Sequence, residues 1–248
     1  MKPLENRVPQ IIALYWIIKI AATTLGETGA DMFSMTLNIG YDLTILLFMS
    51  IFVIALIAKL KQASYSPFLY WLTFTSTAIA GTAISDYIDR TLGLGYLAGA
   101  SLLLALLITI LVIWWLNEKS LSVETITTKT AESFYWLAFL VANTLGTALG
   151  DYMADDLALG FLTSASLIGV ILLICIVLHY LTNVSSIILF WIAFVLTRPF
   201  GATFGDFLTK TTEQGGIGMG TFYSSLVFTL GLIIALRFEI KRHQKHKV

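Results

Sequence analysis

One spaced pattern occurs four times in this 248-residue chain: a Trp, a Gly ten residues later and an Asp fifteen residues after the Trp. A further Gly lies twenty-four residues after each Trp. The members, in chain order, are Trp16, Gly26, Asp31 and Gly40; Trp71, Gly81, Asp86 and Gly95; Trp136, Gly146, Asp151 and Gly160; and Trp191, Gly201, Asp206 and Gly215. Such repetition indicates an array of related units, and this constrains the fold more than any local pattern does.

The spacing of the copies indicates how the array arose. Successive Trp residues are 55, 65 and 55 residues apart, and the longer middle step contains the polar segment 117–130. The simplest explanation is that one unit was duplicated and the pair was then duplicated again. The chain is therefore a single domain of two plus two repeats, which span 10–62, 65–117, 130–182 and 185–240.

The composition is that of a membrane protein. Hydrophobic residues make up 57% of the chain and charged residues only 12%, whereas soluble domains carry about 25% charged residues. A bilayer-spanning helix needs about 20 apolar residues. Eight apolar segments approach this length, near 10–36, 41–60, 67–89, 94–116, 132–154, 160–181, 185–208 and 218–240. We therefore predict an all-α integral membrane protein with eight transmembrane helices, two in each repeat.

The distribution of Lys and Arg predicts the orientation. Eleven of them would lie on the side of the termini and two, Arg90 and Lys210, on the other side. The eleven are Lys2, Arg7, Lys59, Lys61, Lys119, Lys129, Arg237, Lys241, Arg242, Lys245 and Lys247. The positive-inside rule then places both termini in the cytoplasm. Two spans per repeat make the four repeats parallel, so the odd-numbered spans can surround a polar axis with the four repeated aspartates on its wall.

The first span holds the strongest candidate for a site. Glu27 and Asp31 are four residues apart, so both carboxylates lie on one helical face, and Thr24 shares this face. Charges inside a bilayer are costly and mark functional sites. The alternative is that the aspartates form a hydrated mouth at the outer surface, in which case the site would lie deeper, around Glu27, Thr24 and Asn143. Asp86 has a second alternative, because Arg90 four residues later could pair with it.

Two cations also lie inside predicted spans. Lys19 is in the first span, and Arg198 is in the seventh, followed by Pro199. A guanidinium in this environment needs an acidic partner. We predict that Arg198 pairs with Glu27 or Asp31.

The four Trp-Gly-Asp units resemble a bacterial inner-membrane family that contains four tandem copies of a two-helix domain of unknown function, each with a characteristic Trp. The resemblance covers residues 10–240 and rests on Trp16, Trp71, Trp136 and Trp191 with their aligned Gly and Asp residues. It implies a multi-pass protein of the bacterial inner membrane and implies little about activity. The departures among the repeats are Lys19 and Glu27 in the first and the Arg198-Pro199 pair in the last.

The residues favour transport over catalysis. No enzyme motif is present, so we predict that the protein is not an enzyme. Carboxylates suit hard divalent cations, and Met32 and Met153 near the aspartates favour Mn(II). We predict a proton-exchanging transporter, with export favoured, that binds the metal through Glu27, Asp31, Asp86 and Asp151. Asp206, Thr24 and Asn143 would assist, and Lys19 and Arg198 would act in gating or charge pairing.

Two other functions stay open. The protein could transport a small organic solute with Lys19 and Arg198 as anion ligands, or it could be a membrane scaffold or sensor that transports nothing. The expected partners are the lipid bilayer, the metal ion and protons. We expect neither a cofactor nor a nucleic-acid partner, and the chain could form a homo-oligomer.

Overall fold

The computed structural model describes residues 7–62, 64–123 and 126–245, and within these ranges the protein consists of helices without any strand. Eight α-helices follow one another in the chain. They are α1 (Ala13–Asp31), α2 (Tyr41–Lys61), α3 (Pro67–Asp86), α4 (Tyr96–Glu118), α5 (Lys129–Asp151), α6 (Phe161–Leu181), α7 (Ser186–Thr209) and α8 (Thr221–Lys245). Short π-helical segments continue α1, α3 and α5 beyond their aspartates, at Met32–Thr36, Tyr87–Thr91 and Tyr152–Asp156.

The four odd-numbered helices form a closed ring. Helix α1 packs against α3 and α7, and α5 packs against the same two helices from the opposite side. The even-numbered helices lie outside the ring, each against the first helix of the next repeat: α2 on α3, α4 on α5, α6 on α7, and α8 back on α1. The order of repeats around the ring is therefore the order in the chain.

Several helices are suited to a lipid environment. Six are long and apolar enough to cross a membrane: α2, α4, α5 with its π segment, α6, α7 and α8. Helices α1 and α3 are not among the six, because polar residues that face the ring interior lower their hydropathy. Among these are Lys19, Glu27, Thr77 and Thr82, all of them buried. The protein is therefore a helical chain of multi-pass membrane character.

The first glycine of each repeat is the point where neighbouring ring helices touch. A Cβ atom added at Gly26 would lie 2.7 Å from the Cβ of Ala78, and one at Gly201 would lie 2.8 Å from the Cβ of Thr23. The equivalent contacts are Gly81 with Asn143 and Gly146 with Arg198. Each glycine thus faces the residue seven positions after the Trp of the next repeat, and the fourth contact closes the ring. Close helix approach of this kind requires small residues.

We expect Gly201→Ala to lower the free energy of unfolding by about 1–3 kcal/mol, the usual cost of overpacking a close contact. The added methyl would lie 2.9 Å from the backbone carbon of Thr23, so α1 and α7 would have to move apart. Thermal unfolding in detergent measures the change. The matched control is Gly231→Ala in α8, where the added methyl meets nothing within 4 Å. A Gly201→Ala protein as stable as this control would contradict the prediction.

The second glycine has a different role. Gly40, Gly95 and Gly160 have φ angles of 84°, 77° and 73° and immediately precede α2, α4 and α6. These positive φ values favour glycine, which has no Cβ. Gly215 has the same spacing and a positive φ of 86°, but it follows the short helix Thr212–Gln214 and does not precede α8. Helix α8 begins at Thr221, directly after Gly220 with its φ of 77°, because the fourth connection is five residues longer.

The ring has two ends: we call the end near the four Trp residues the Trp end, and the opposite end, near the four aspartates, the Asp end. Aromatic side chains fill the ring at the Trp end. The residues one before each Trp are Tyr15, Tyr70, Tyr135 and Phe190, and those three after it are Lys19, Phe74, Phe139 and Phe194. The Phe139 ring lies 4.4 Å from Phe74 and 4.6 Å from Phe194, edge to face, between ring centroids. The interior is therefore closed by aromatic packing at the Trp end and becomes polar toward the Asp end.

Candidate functional site

Arg198 lies at the centre of the polar interior. Helix α7 runs through Pro199 without a break, and the Arg198 side chain is 1% exposed. Its Nη2 atom lies 3.2 Å from Glu27 Oε2 and also donates to the hydroxyls of Thr82 and Thr147. The pairing of Arg198 with Glu27 confirms the sequence prediction. Because Thr82 and Thr147 occupy the position of Glu27 in their repeats, the three side chains form a layer around the guanidinium.

Lys19 lies on the same axis, one step nearer the Trp end. Its Nζ atom donates to the Phe194 carbonyl at 2.8 Å and to the Thr197 hydroxyl. It also lies 4.1 Å from the centroid of the Phe194 ring and 5.6 Å from that of Phe74. Among the described residues no carboxylate lies within 4 Å of it. Lys19 is therefore bound by carbonyl, hydroxyl and aromatic groups at the boundary between the polar interior and the aromatic packing.

All four repeated aspartates are buried inside the ring, with no more than 2% of each residue exposed. They form two pairs, and each pair shares one basic side chain. Lys210 Nζ lies 2.9 Å from Asp31 Oδ2 and 3.2 Å from Asp206 Oδ1. Arg90 lies 3.5 Å from Asp86 Oδ1 through Nε and 3.3 Å from Asp151 Oδ2 through Nη2. The hydrated-mouth alternative does not describe these side chains, because protein groups surround them.

Arg90 and Lys210 occupy equivalent positions. Each lies nineteen residues after its Trp and four after its Asp, in the second and fourth repeats, where the other two repeats have Met35 and Asp155. Each binds the aspartate of its own repeat and that of the next one. The fourfold ring therefore carries a twofold pattern of charge, as a two-plus-two duplication predicts. The four-residue spacing predicts the Arg90–Asp86 pair, and Lys210 has the same spacing from Asp206.

Three carboxylates come together at one place. One oxygen each of Glu27, Asp31 and Asp206 lies within 4.8 Å of the other two, and all three residues are buried. We call these residues the acidic triad. The structure thus brings Asp206 to the two acids of α1, whereas Asp86 and Asp151, the other two predicted metal ligands, face Arg90. Thr24 donates to the Ile20 carbonyl and Asn143 to the Thr77 hydroxyl, so both have partners outside the triad.

A cavity of about 440 Å³ opens at the Asp end and reaches the two bridging bases. Its lining consists of Arg90, Tyr96, Asp155, Phe161, Lys210 and Gln214. Burial lowers the pKa of Lys210, but the Asp206 and Asp31 carboxylates more than offset this, so its pKa is raised. Lys210 is therefore an ammonium ion that contacts the acidic triad on one side and the cavity on the other.

The repeats match a known family model. The model describes a Repeat of Unknown Function (DUF347), and it matches residues 14–65, 69–120, 134–185 and 189–244. The chain belongs to the DUF347 family. Each match contains one Trp-Gly-Asp frame, so the family resemblance drawn from the sequence is confirmed. Neither a curated protein nor a solved structure matches the chain.

A second ionic cluster lies at the Trp end, outside the ring interior and just before the third DUF347 repeat. Glu132, in the first turn of α5, binds Lys59 at 2.8 Å and also pairs with Arg7. Lys59 donates further to the Arg7 carbonyl at 2.6 Å, and Arg7 to the Leu60 carbonyl at 3.1 Å. The repeat pattern predicts only that Arg7 and Lys59 lie on the side of the termini, and it does not single out Glu132. These contacts join the segment before α1, the end of α2 and the start of α5.

Proposed function

We propose that this protein is a secondary transporter that moves a divalent metal ion, with Mn²⁺ favoured and export the preferred direction, across a membrane in exchange for protons. The observation that carries the proposal is the acidic triad: Glu27, Asp31 and Asp206 have three carboxylate oxygens within 4.8 Å of one another inside the helix ring. Oxygen ligands of this kind suit Mg²⁺, Ca²⁺ and Mn²⁺. Met32, next to Asp31, is the sequence feature that favours Mn²⁺.

The charges around the triad support a divalent rather than a monovalent ion. Arg198 is held by Glu27, Thr82 and Thr147 and is therefore a fixed part of the site. Three ionised carboxylates and this one guanidinium have a formal charge of −2, which Lys210 on Asp31 and Asp206 reduces to −1. A divalent ion that takes the place of the Lys210 ammonium would neutralise the site completely. Buried charge that is left unbalanced is costly, so a charge match favours binding.

Unused acceptor capacity also supports a ligand here. Within the described part of the chain, Asp206 Oδ1 accepts no hydrogen bond, although Lys210 Nζ lies 3.2 Å away, because the geometry is not that of a hydrogen bond. Buried polar atoms normally have partners. A metal ion in the triad would use this oxygen.

The proposed topology has eight spans with both termini in the cytoplasm of a bacterium, in its inner membrane. Helices α1 and α3 would cross inside a shell of the more apolar helices. The Trp end, with Lys61, Lys241 and Arg242, would face the cytoplasm, and the Asp end with its cavity would face outward. Lys59 and Arg7 belong to the same end but are ion-paired, and Lys2 and Lys247 lie outside the described residues. Transport would then require the aromatic packing at the Trp end to open.

We expect Asp206→Asn and Asp31→Asn each to weaken Mn²⁺ binding at least tenfold, because each removes a charged ligand. Titration calorimetry on the purified protein in detergent measures the affinity. Wild-type affinity should fall as the pH is lowered, since protons compete with the metal for carboxylates. Asp42→Asn is the matched control, because Asp42 is an exposed carboxylate at the start of α2. Unchanged affinity in both triad variants would refute the metal site.

A small organic anion is the second candidate substrate. The observation in its favour is that Arg90 and Lys210, both cationic, line the cavity at the Asp end. Lys19 and Arg198, the anion ligands expected for this alternative, have protein partners instead. A thermal-shift screen with organic acids would separate the two: stabilisation by a carboxylic acid, with no response to Mn²⁺, would favour the organic solute. No response to either class would favour a scaffold or sensor.

A further inference from the structure

The two bases that bridge the aspartate pairs differ in chemistry. Arg90 and Lys210 are equivalent in the repeats and make equivalent ion pairs. A guanidinium is planar and offers several donors in a fixed arrangement, whereas an ammonium is a compact charge on a flexible four-carbon chain. The second and fourth repeats can therefore be compared directly. The chemistry of the Arg90 guanidinium favours a fixed position between its two aspartates, and that of the Lys210 ammonium allows it to leave its two.

The contacts of each base agree with this difference. Arg90 is held by Asp86, by Asp151 and by the hydroxyl of Tyr96, which accepts from Nε at 3.1 Å. The ion pairs of Lys210 are with Asp31 and Asp206. Both side chains border the cavity. The Lys210 backbone lies just past the end of α7, where φ and ψ are −69° and 155°, whereas Arg90 lies within the helical segment Tyr87–Thr91. The ammonium can therefore move out of the ring interior without a change in any helix.

We propose that Lys210 is a tethered competitor for the metal ion: its ammonium occupies the acidic triad when no metal is bound and moves into the cavity when metal binds. This inference rests on the proposed function. It identifies the group that the metal must displace, and it leaves Arg90 in place on Asp86 and Asp151.

The charges explain why such a competitor is useful. Without any cation in place of Lys210, the triad and Arg198 would hold a formal charge of −2 inside the ring, and an unbalanced buried charge is strongly unfavourable. Lys210 reduces this charge to −1 in the empty state, and a divalent ion reduces it to zero. A monovalent ion in place of the Lys210 ammonium would leave the formal charge of the site at −1. The lysine therefore stabilises the empty site and favours divalent over monovalent cations.

The test is Mn²⁺ titration calorimetry on wild type and Lys210→Met in detergent. We expect Lys210→Met to bind Mn²⁺ at least tenfold more tightly, because the competing charge is gone. Lys61→Met, which makes the same substitution at an exposed lysine, should bind within twofold of wild type. Lys210→Arg keeps the charge but holds the site more firmly, so it should bind more weakly than wild type.

The outcomes separate the two proposals. If Lys210→Met binds no more tightly than wild type, while Asp206→Asn still loses binding, then the competitor role is refuted and the metal site stands. If neither wild type nor Lys210→Met binds Mn²⁺, both proposals are refuted. Should Lys210→Met fail to fold, Lys210→Arg decides, and an affinity equal to that of wild type would refute the competitor role.

Discussion

Replacing Arg198 with Met is expected to lower the free energy of unfolding by about 3–5 kcal/mol, the usual result of removing one partner of a buried ion pair. Arg198 is 1% exposed and lies 3.2 Å from Glu27. Its removal leaves the Glu27 carboxylate buried, and within the described part of the chain the Thr82 hydroxyl, 3.4 Å away, is then its hydrogen-bond donor. The layer around the guanidinium would lose its central donor, and Thr147 would lose the partner at 2.7 Å.

Thermal or denaturant unfolding in detergent measures this change. The double variant Glu27→Gln with Arg198→Met removes both charges, so it should be more stable than Arg198→Met alone. Arg237→Met is the control, since Arg237 is exposed on α8 and its loss should change stability by no more than about 0.5 kcal/mol. A loss below about 1 kcal/mol in Arg198→Met would mean that the ion pair has little effect on the fold.

Glu132→Gln is expected to have an effect of similar size, about 3–5 kcal/mol, at the opposite end of the ring. Glu132 and Lys59 have fully buried side chains, and the Arg7 side chain is 6% exposed. Without the carboxylate, the acceptors that the described residues offer to the two buried cations would be the Arg7 and Leu60 carbonyls and the neutral amide oxygen. The neutral amide keeps the size of the side chain, so the loss would report charge and not packing.

The same unfolding measurement applies, with Glu213→Gln as the control because Glu213 is exposed in the fourth connection. If Glu132→Gln lowers the free energy of unfolding less in a Lys59→Met background than in the wild type, then unpaired cations cause the loss. If Glu132→Gln is as stable as Glu213→Gln, then the cluster does not hold the segment before α1, α2 and α5 together.

The repeat pattern was sufficient to predict the architecture of the polar interior. Residues at one spacing from four Trp residues lie at one depth when the helices are parallel, so their side chains meet in layers. For this reason the four aspartates are all buried inside one ring, and the glycine ten residues after each Trp lies at a close helix contact. The high cost of an unpaired guanidinium likewise predicted the Arg198–Glu27 pair.

Spacing alone could not decide which acids share a cation. Periodicity places a side chain on a helical face, but contacts between helices depend on the rotation of each helix and on side-chain reach. For this reason the pairing of Asp31 with Asp206 through Lys210, and of Asp86 with Asp151 through Arg90, is a property of the closed ring. The triad consequently includes Asp206 in place of Asp86 and Asp151.

Two further features depended on the tertiary structure. Gly215 has the repeated spacing, yet Gly220 precedes α8. The longer fourth connection moves the start of the helix, and the spacing of the repeats does not reveal this shift. Glu132 has no counterpart in the repeat frame, and its partners are 73 and 125 residues away along the chain. The sequence by itself determined the four repeated helix pairs and the acids of the ring interior. Only the tertiary structure decided how the charges are paired, because ion pairs form between groups that folding brings within a few ångströms.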